Sequence, residues 1–271
     1  WFNEQPKLTA RINTILIDIP QCLTMLNEQG WAITQDSNYE DIIYINSHRG
    51  SLEKSEAFIK GYITFMDKAS MLVARLVNPQ PGERILDCCA APGGKSMYMA
   101  TLMDNVGSLM SCDIHEHKIE LMNSNAERLG ASIVHTKVQD ATKLPDSWNS
   151  YFDRVLVDAP CSGLGILQKK LDMRWRKQES ILSELPPLQL AILERAAMTV
   201  KEKGYLIYST CTLNYKENEE VVESFLQKHK EFSIIPVADD FPLKSNSGMI
   251  TTYPPTDDMD GFFMVKMQRI S

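Results

Sequence analysis

Two cysteines stand where a thiol can do chemistry. Cys161 lies in Asp158-Ala159-Pro160-Cys161-Ser162-Gly163 and Cys211 in Tyr208-Ser209-Thr210-Cys211-Thr212, each a polar turn behind an apolar, β-branched run. At a strand end a thiolate can be reached by a ligand and held by nearby N–H groups or cations. Cys22, Cys88 and Cys112 read instead as small apolar core residues. None of the six cysteines has C-x-x-C spacing. In a chain of 271 residues this points to reduced, cytoplasmic thiols, with neither a disulfide framework nor a metal site.

A third segment supplies the ligand-binding chemistry. Ile85-Leu86-Asp87-Cys88-Cys89-Ala90-Ala91-Pro92-Gly93-Gly94-Lys95-Ser96 reads as a strand, a tight turn and the start of a helix. Glycines let a backbone approach a ligand, and the helix start behind them offers unpaired N–H groups. The phosphate-binding G-x-x-x-x-G-K-[ST] pattern fails, because Cys89 stands at its first glycine, and G-x-G-x-x-G is absent. Acidic residues close the later strands: Asp113, Asp140 and Asp158. Asp113 comes about 20 residues after the turn, where a carboxylate accepts ribose hydroxyls. Each Asp alone could be a turn or capping residue. Three together, with no phosphate motif, favour a nucleoside carrying a cation, and S-adenosylmethionine fits while a pyrophosphate would be repelled.

A thiol beside a sulfonium methyl donor suits one reaction well. Carbon 5 of cytosine is a poor nucleophile. A thiolate adding to carbon 6 converts it into an enamine-like carbon that attacks a methyl group. Asp158 could hold the base at N3 and its exocyclic amine. Two cysteines allow attack and release to be divided, and their residue types alone leave open which attacks.

The elements that must position these groups fall into two regions. Residues 1–80 read as a small α+β module, with strands at 8–17, 31–34, 42–45 and 62–66 and helices at 19–30, 51–60 and 67–76. Asn78-Pro79-Gln80-Pro81-Gly82 closes it as a turn. Residues 81–271 alternate strands (84–89, 107–113, 132–136, 152–158, 204–210, 232–236, 262–267) with helices (from 94, 116–129, 185–203, 217–230). Repeated β-α units imply an α/β fold with a mostly parallel sheet. No run of 18 apolar residues is present, so no transmembrane helix is expected.

The three motifs, with Glu217-Asn218-Glu219 after the third, resemble those of the RNA cytosine-5 methyltransferases of the NOL1/NOP2/Sun family. Leu8-Thr9-Ala10-Arg11-Ile12-Asn13-Thr14 and Asp260-Gly261-Phe262-Phe263 extend the likeness over nearly the whole chain. Met66 and Pro255 depart from it, standing where members often have Gln and His. The resemblance implies a Rossmann-like S-adenosylmethionine-dependent methyltransferase fold with a seven-stranded sheet in residues 81–271. It implies an RRM/ferredoxin-like RNA-binding subdomain in residues 1–80. Cys211 would be the nucleophile, and Cys161 would assist product release. Residues Cys89, Ala90, Ala91, Pro92, Gly93, Gly94, Lys95, Asp113, Asp140 and Asp158 would hold S-adenosylmethionine. The implied substrate is 16S ribosomal RNA, met by a cytoplasmic monomer. The start at Trp1 suggests a fragment lacking an N-terminal helical domain that some members carry.

The net charge of −7 argues against nucleic-acid binding by overall charge. A local cluster departs from it: Lys169, Lys170, Arg174, Arg176 and Lys177 follow Cys161, with Trp175 among them. Such a basic, aromatic segment can hold phosphates and stack on a base, although it also reads as a solvated helix start. A cytosine paired in a duplex cannot reach a thiol, so the target would lie in a hairpin loop or be flipped out. Neutralising Lys169, Lys170 and Arg174 together is expected to weaken RNA binding and flatten its salt dependence. A titration series unchanged across salt concentrations would remove the patch from consideration.

Overall fold

A computed structural model describes residues 6–170 and 180–271. The N-terminal part runs β1 (Leu8–Ile12), α1 (Ile19–Glu28), β2 (Ala32–Gln35), β3 (Ile42–Ser47), α2 (Glu56–Ile59) and β4 (Ile63–Phe65). Its four strands form an antiparallel sheet in the order β2-β3-β1-β4. Asp18 starts α1 by accepting a hydrogen bond from the Gln21 N–H at 2.8 Å. Alternation along β1 divides its side chains between two faces. Ala10 and Ile12 pack with Ile43, Ile45 and Ile63 against Cys22, Leu26 and Trp31. Arg11 points the other way and is fully buried. Its Nη1 donates to Thr101 Oγ1 at 3.1 Å, and its guanidinium lies 5.1 Å from the Tyr98 ring centroid. The sheet face that holds Arg11 is therefore covered by the larger region and is closed to base stacking.

Helix α3 (Lys68–Val77) joins the two regions. Asp67 caps it through the Ala69 N–H at 2.8 Å, and its apolar side enters the same core as Ile85, Met97 and Leu109. Asn13 supplies a second tie. Its Nδ2 donates to Gly61 O and to Leu129 O, both at 2.9 Å, so one buried amide spans both regions.

The larger region contains β5 (Arg84–Asp87), α4 (Gly94–Leu102), β6 (Ser108–Asp113), α5 (Glu116–Arg128), β7 (Val134–Val138), β8 (Phe152–Asp158), α6 (Ile181–Ala197) and β9 (Val200–Thr210). It ends with α7 (Glu219–Lys228), β10 (Phe232–Ile234), β11 (Met249–Thr251), α8 (Pro254–Asp257) and β12 (Phe263–Arg269). The continuous strand order is β10-β12-β9-β8-β5-β6-β7, with β11 paired to β12 beside it. Strands β5 to β9 are mutually parallel, whereas β12 is antiparallel to β9, β10 and β11. The seven expected strands form the continuous order, and β11 is an eighth that the polar 237–248 stretch hides in the sequence. The order reverses at β5 and β8, the position where open α/β sheets leave a crevice for ligands.

One expected element differs in kind. A helix over 185–203 is broken, because α6 ends at Ala197 and β9 already begins at Val200. The charged stretch 201–203 has helical composition, but pairing of Val200 with Phe152 draws it into the sheet. The strand then bulges, with Lys203 at φ +62° and a register shift between Phe152 and Arg154. No helix among the described residues is long and apolar enough to cross a membrane.

The Asn13→Ala variant is expected to lose about 1–3 kcal/mol by leaving two buried carbonyls unpaired. Denaturant unfolding of the full chain would read this as a lower midpoint. An unchanged midpoint would show that the tie contributes nothing.

Candidate active site

The glycine turn is pinned to both neighbouring strands. Cys88 N donates to Leu156 O at 2.9 Å and Ala90 N to Cys112 O at 2.7 Å. Gly93 caps α4 at φ +98°, in the left-handed region, and a Cβ there would lie 3.2 Å from Met122 Cγ. The Ala91–Pro92 peptide is cis. Cys89 and Ala91 line a cleft of about 430 Å³ with Asp113, Asp140, Asp158, Cys161 and Cys211. Ala90 is buried, Gly93 and Gly94 shape the bend, and Lys95 reaches across to Asp158.

Each carboxylate has a distinct setting. Asp113 accepts from the His115 N–H at 3.0 Å and has Lys118 Nζ at 3.5 Å. Asp140 accepts from Thr142 N and Oγ1, at 2.9 and 2.6 Å, so it caps a short turn as well as lining the cleft. Those bonds hold its carboxyl below the usual carboxylate range. Asp158 accepts from Lys95 Nζ and from Ser209 Oγ, both at 2.7 Å. Burial opposes the charge on Lys95, but Asp158 outweighs it and the ammonium is held firmly. Asp87, beneath the turn, is fully buried. Its Oδ2 accepts from Ser96 Oγ at 2.7 Å, while Oδ1 has no hydrogen-bond partner. Burial, aided by the charge of Asp158, pushes its carboxyl up to about 7.

This donor set fits S-adenosylmethionine. The carboxylates of Asp113, Asp140 and Asp158 along the cleft can accept an ammonium and ribose hydroxyls, and they disfavour a phosphate. Among the described residues no group of His, Cys, Asp or Glu is arranged to hold a metal ion.

The two thiols meet. Parallel pairing of β8 with β9 sets Asp158 opposite Ser209, so the loops that follow open side by side. Cys161 Sγ lies 3.1 Å from Cys211 Sγ, and Cys211 N donates to Cys161 Sγ at 3.3 Å. The shared proton divides their acidities. The bond from Cys161 lowers Cys211 below an ordinary thiol, against the effects of burial and of Asp158 and with help from Lys95 and Lys170. The same bond, with burial, raises Cys161 well above one. The contact thus makes Cys211 the more acidic of the two thiols.

The basic segment is divided. Lys169 donates to Asp260 Oδ2 at 2.9 Å and to Asp67, tying the loop after Cys161 to α3 and to the segment before β12. Lys170 is exposed. Arg174 and Arg176 lie outside the described residues, as do Trp175 and Lys177.

The family described as 16S rRNA methyltransferase RsmB/F matches residues 74–268. The chain belongs to this family. A probable ribosomal RNA small subunit methyltransferase B of Bacillus subtilis (strain 168) is 38% identical over 97% of this chain and 60% of its own length. A ribosomal RNA small subunit methyltransferase B of Serratia proteamaculans (strain 568) is 30% identical over 98% of this chain and 60% of its own length. The chain thus spans about three fifths of these relatives. The crystal structure of PH0851 matches with a TM-score of 0.92 and 31% identity, over 98% of this chain and 60% of that one. A structure of NSun6 from Pyrococcus horikoshii with SFG matches with a TM-score of 0.89 at 22% identity, over 98% and 92%, and shows the shared fold. The fold of this RsmB/F member is the Rossmann-like one of S-adenosylmethionine-dependent methyltransferases, and S-adenosylmethionine is the cofactor it takes.

Sequence reasoning passed over several groups of the RsmB/F cleft. Ile114, His115 and Lys118 line it directly after Asp113. Leu188 and Ile192, four residues apart on α6, close one side, a helical spacing visible in the sequence. Phe262 lies with its ring centroid 5.3 Å from Lys95 Nζ.

The raised Asp87 carboxyl makes stability depend on pH. The folded chain binds its proton more tightly than the unfolded chain, whose carboxyl titrates near about 3.9. Stability is therefore expected to fall as pH rises from about 4 to 7, the value to which the folded carboxyl is pushed. The Asp87→Asn variant should flatten that part of the profile in thermal unfolding. A wild-type curve of equal slope in both proteins would contradict it.

Proposed function

We propose that this chain transfers a methyl group from S-adenosylmethionine to carbon 5 of a cytosine in 16S ribosomal RNA, through a covalent bond between Cys211 and carbon 6. The observation that carries the reading is the 3.1 Å contact between the two sulfurs at the rim of the cleft, which lowers Cys211 and raises Cys161 relative to an ordinary thiol. A methyl transfer that needed only proximity would require no thiolate there.

The two thiols divide attack and release. Cys211 adds to carbon 6, and the carbon 5–carbon 6 π pair becomes localised on carbon 5. Asp158, oriented by Lys95 and Ser209, holds the base at N3 and the exocyclic amine. Cys89, Ala90, Ala91, Pro92, Gly93, Gly94, Lys95, Asp113, Asp140 and Asp158 form the binding site for S-adenosylmethionine, which supplies an electrophilic methyl group when bound. A base then removes the carbon 5 proton, the double bond re-forms, and the Cys211 sulfur departs. Cys161 assists that departure because its S–H stabilises the leaving thiolate. The reverse assignment, with Cys161 attacking as in a DNA cytosine-5 methyltransferase, would start from the less acidic thiol.

The wider reading follows from the same site. The RNA presents its cytosine in a loop or flipped out of a hairpin to reach the cleft. Lys170, Arg174 and Arg176 meet the phosphates, and Lys169 holds the loop after Cys161 through Asp67 and Asp260. The RRM/ferredoxin-like unit in residues 1–80 adds RNA contact through its loops and edges, since one face is covered. The catalytic unit is residues 81–271, acting as a monomer in the reducing cytoplasm.

RNA carrying 5-fluorocytosine tests the assignment, because fluorine on carbon 5 blocks release. Mass spectrometry of the trapped complex is expected to find the RNA on Cys211. The Cys211→Ala variant should give no adduct, and Cys161→Ala should still give one. An adduct on Cys161, or none on RNA, would reject the proposal.

A further inference from the structure

We infer that Glu217 is the positioning residue of the two-thiol site: its carboxylate, gripped by N–H groups from three separate elements, holds the Cys161 and Cys211 sulfurs in contact. The inference rests on the reading that Cys211 is the attacking thiol.

Glu217 is fully buried, and N–H donors surround it. Oε2 accepts from the backbone N–H of Ser162 at 2.8 Å and from Gln189 Nε2 at 3.0 Å. Oε1 accepts from Asn214 Nδ2 at 3.0 Å. These donors come from the loop after β8, from α6 and from the loop after β9. Gln189 also donates to Pro160 O at 2.9 Å, on the other side of Cys161. Cross-links between the loops run alongside: Ser162 Oγ and Thr212 Oγ1 are 2.7 Å apart, and Asn218 Nδ2 donates to Thr212 O at 2.9 Å. Two of the linked groups are chain neighbours of the thiols, since Ser162 follows Cys161 and Thr212 follows Cys211.

A buried carboxylate is stabilised by several N–H donors and leaves unpaired donors behind when it is changed. Gln at this position keeps the shape but turns an amide N–H₂ toward groups that are themselves donors. One loop must then shift. A sulfur–sulfur hydrogen bond depends steeply on separation, so the sharing of the proton is the property that changes first. The groups facing Cys211 are Cys161 from the β8 loop, Asp158 at the end of β8, Lys95 on α4 and Lys170 beyond the turn at Leu164–Ile166. Glu217 acts through the first of these.

The experiment follows alkylation of each cysteine by iodoacetamide on the full chain, read peptide by peptide, from about pH 6 to about pH 9, the range in which thiols titrate. In Glu217→Gln the Cys211 midpoint is expected to rise by about one unit, which slows its alkylation near neutral pH about tenfold. Cys161 should become more reactive as its hydrogen bond loosens. Circular dichroism monitors the fold, and Glu223→Gln, on the exposed side of α7, should leave both profiles unchanged. If Glu217→Gln does not fold, Gln189→Leu and Asn214→Ala decide, since each removes one donor from the carboxylate; a rise in either supports the role. An unmoved Cys211 profile in folded Glu217→Gln, or in both donor variants, overturns it. Trapping of 5-fluorocytosine RNA on Cys161 would instead reject the assignment of the nucleophile, while leaving the alkylation result intact.

Discussion

The proton held between two sulfurs is the interaction on which the site depends. A thiol near its ordinary acidity is mostly protonated at neutral pH and a slow nucleophile. Here burial works against ionisation at both cysteines, and the 3.1 Å contact lets one pay for the other. Lys95 adds a positive charge, but Asp158 takes most of it through a 2.7 Å hydrogen bond. The acidity of Cys211 is therefore raised chiefly by the neighbouring thiol.

The sheet exists to make that contact. Parallel pairing of β8 and β9 carries two chain segments 50 residues apart to one end of the fold. The glycine turn after β5 lies one strand over, pinned to β6 and β8 by backbone hydrogen bonds. The N-terminal unit contributes at a distance. Asp67, at the start of α3, and Asp260, before β12, both hold Lys169, so the loop behind Cys161 is braced from two sides. Gly165 completes the brace by passing so close to Gly261 that a Cβ would fall 1.8 Å from its carbonyl oxygen.

Reading Lys169 from the sequence alone gave it the role of a phosphate ligand, because clusters of basic residues beside an aromatic commonly serve that way. The carboxylates that hold it lie about a hundred positions away in either direction, and local spacing carries no trace of them. Glu217 shows the same limit from the other side. Its place in a motif after Cys211 was visible, yet its work depends on Ser162 and Gln189, which reach it only through the crossover of α6. The 201–203 stretch was misread for a related reason, since pairing with β8 overrides a helical composition.

The sequence by itself determined the chemistry on offer: a glycine turn without a phosphate pattern, acidic strand ends and two cysteines in polar turns. Those are local facts, written in residue types and short spacings, and they were enough for the α/β class and the nature of the ligand. Which cysteine is the more acidic was decided only in three dimensions. Acidity is a property of surroundings, and the surroundings of Cys211 are assembled from β8, β9 and α4, elements that the chain brings together only on folding.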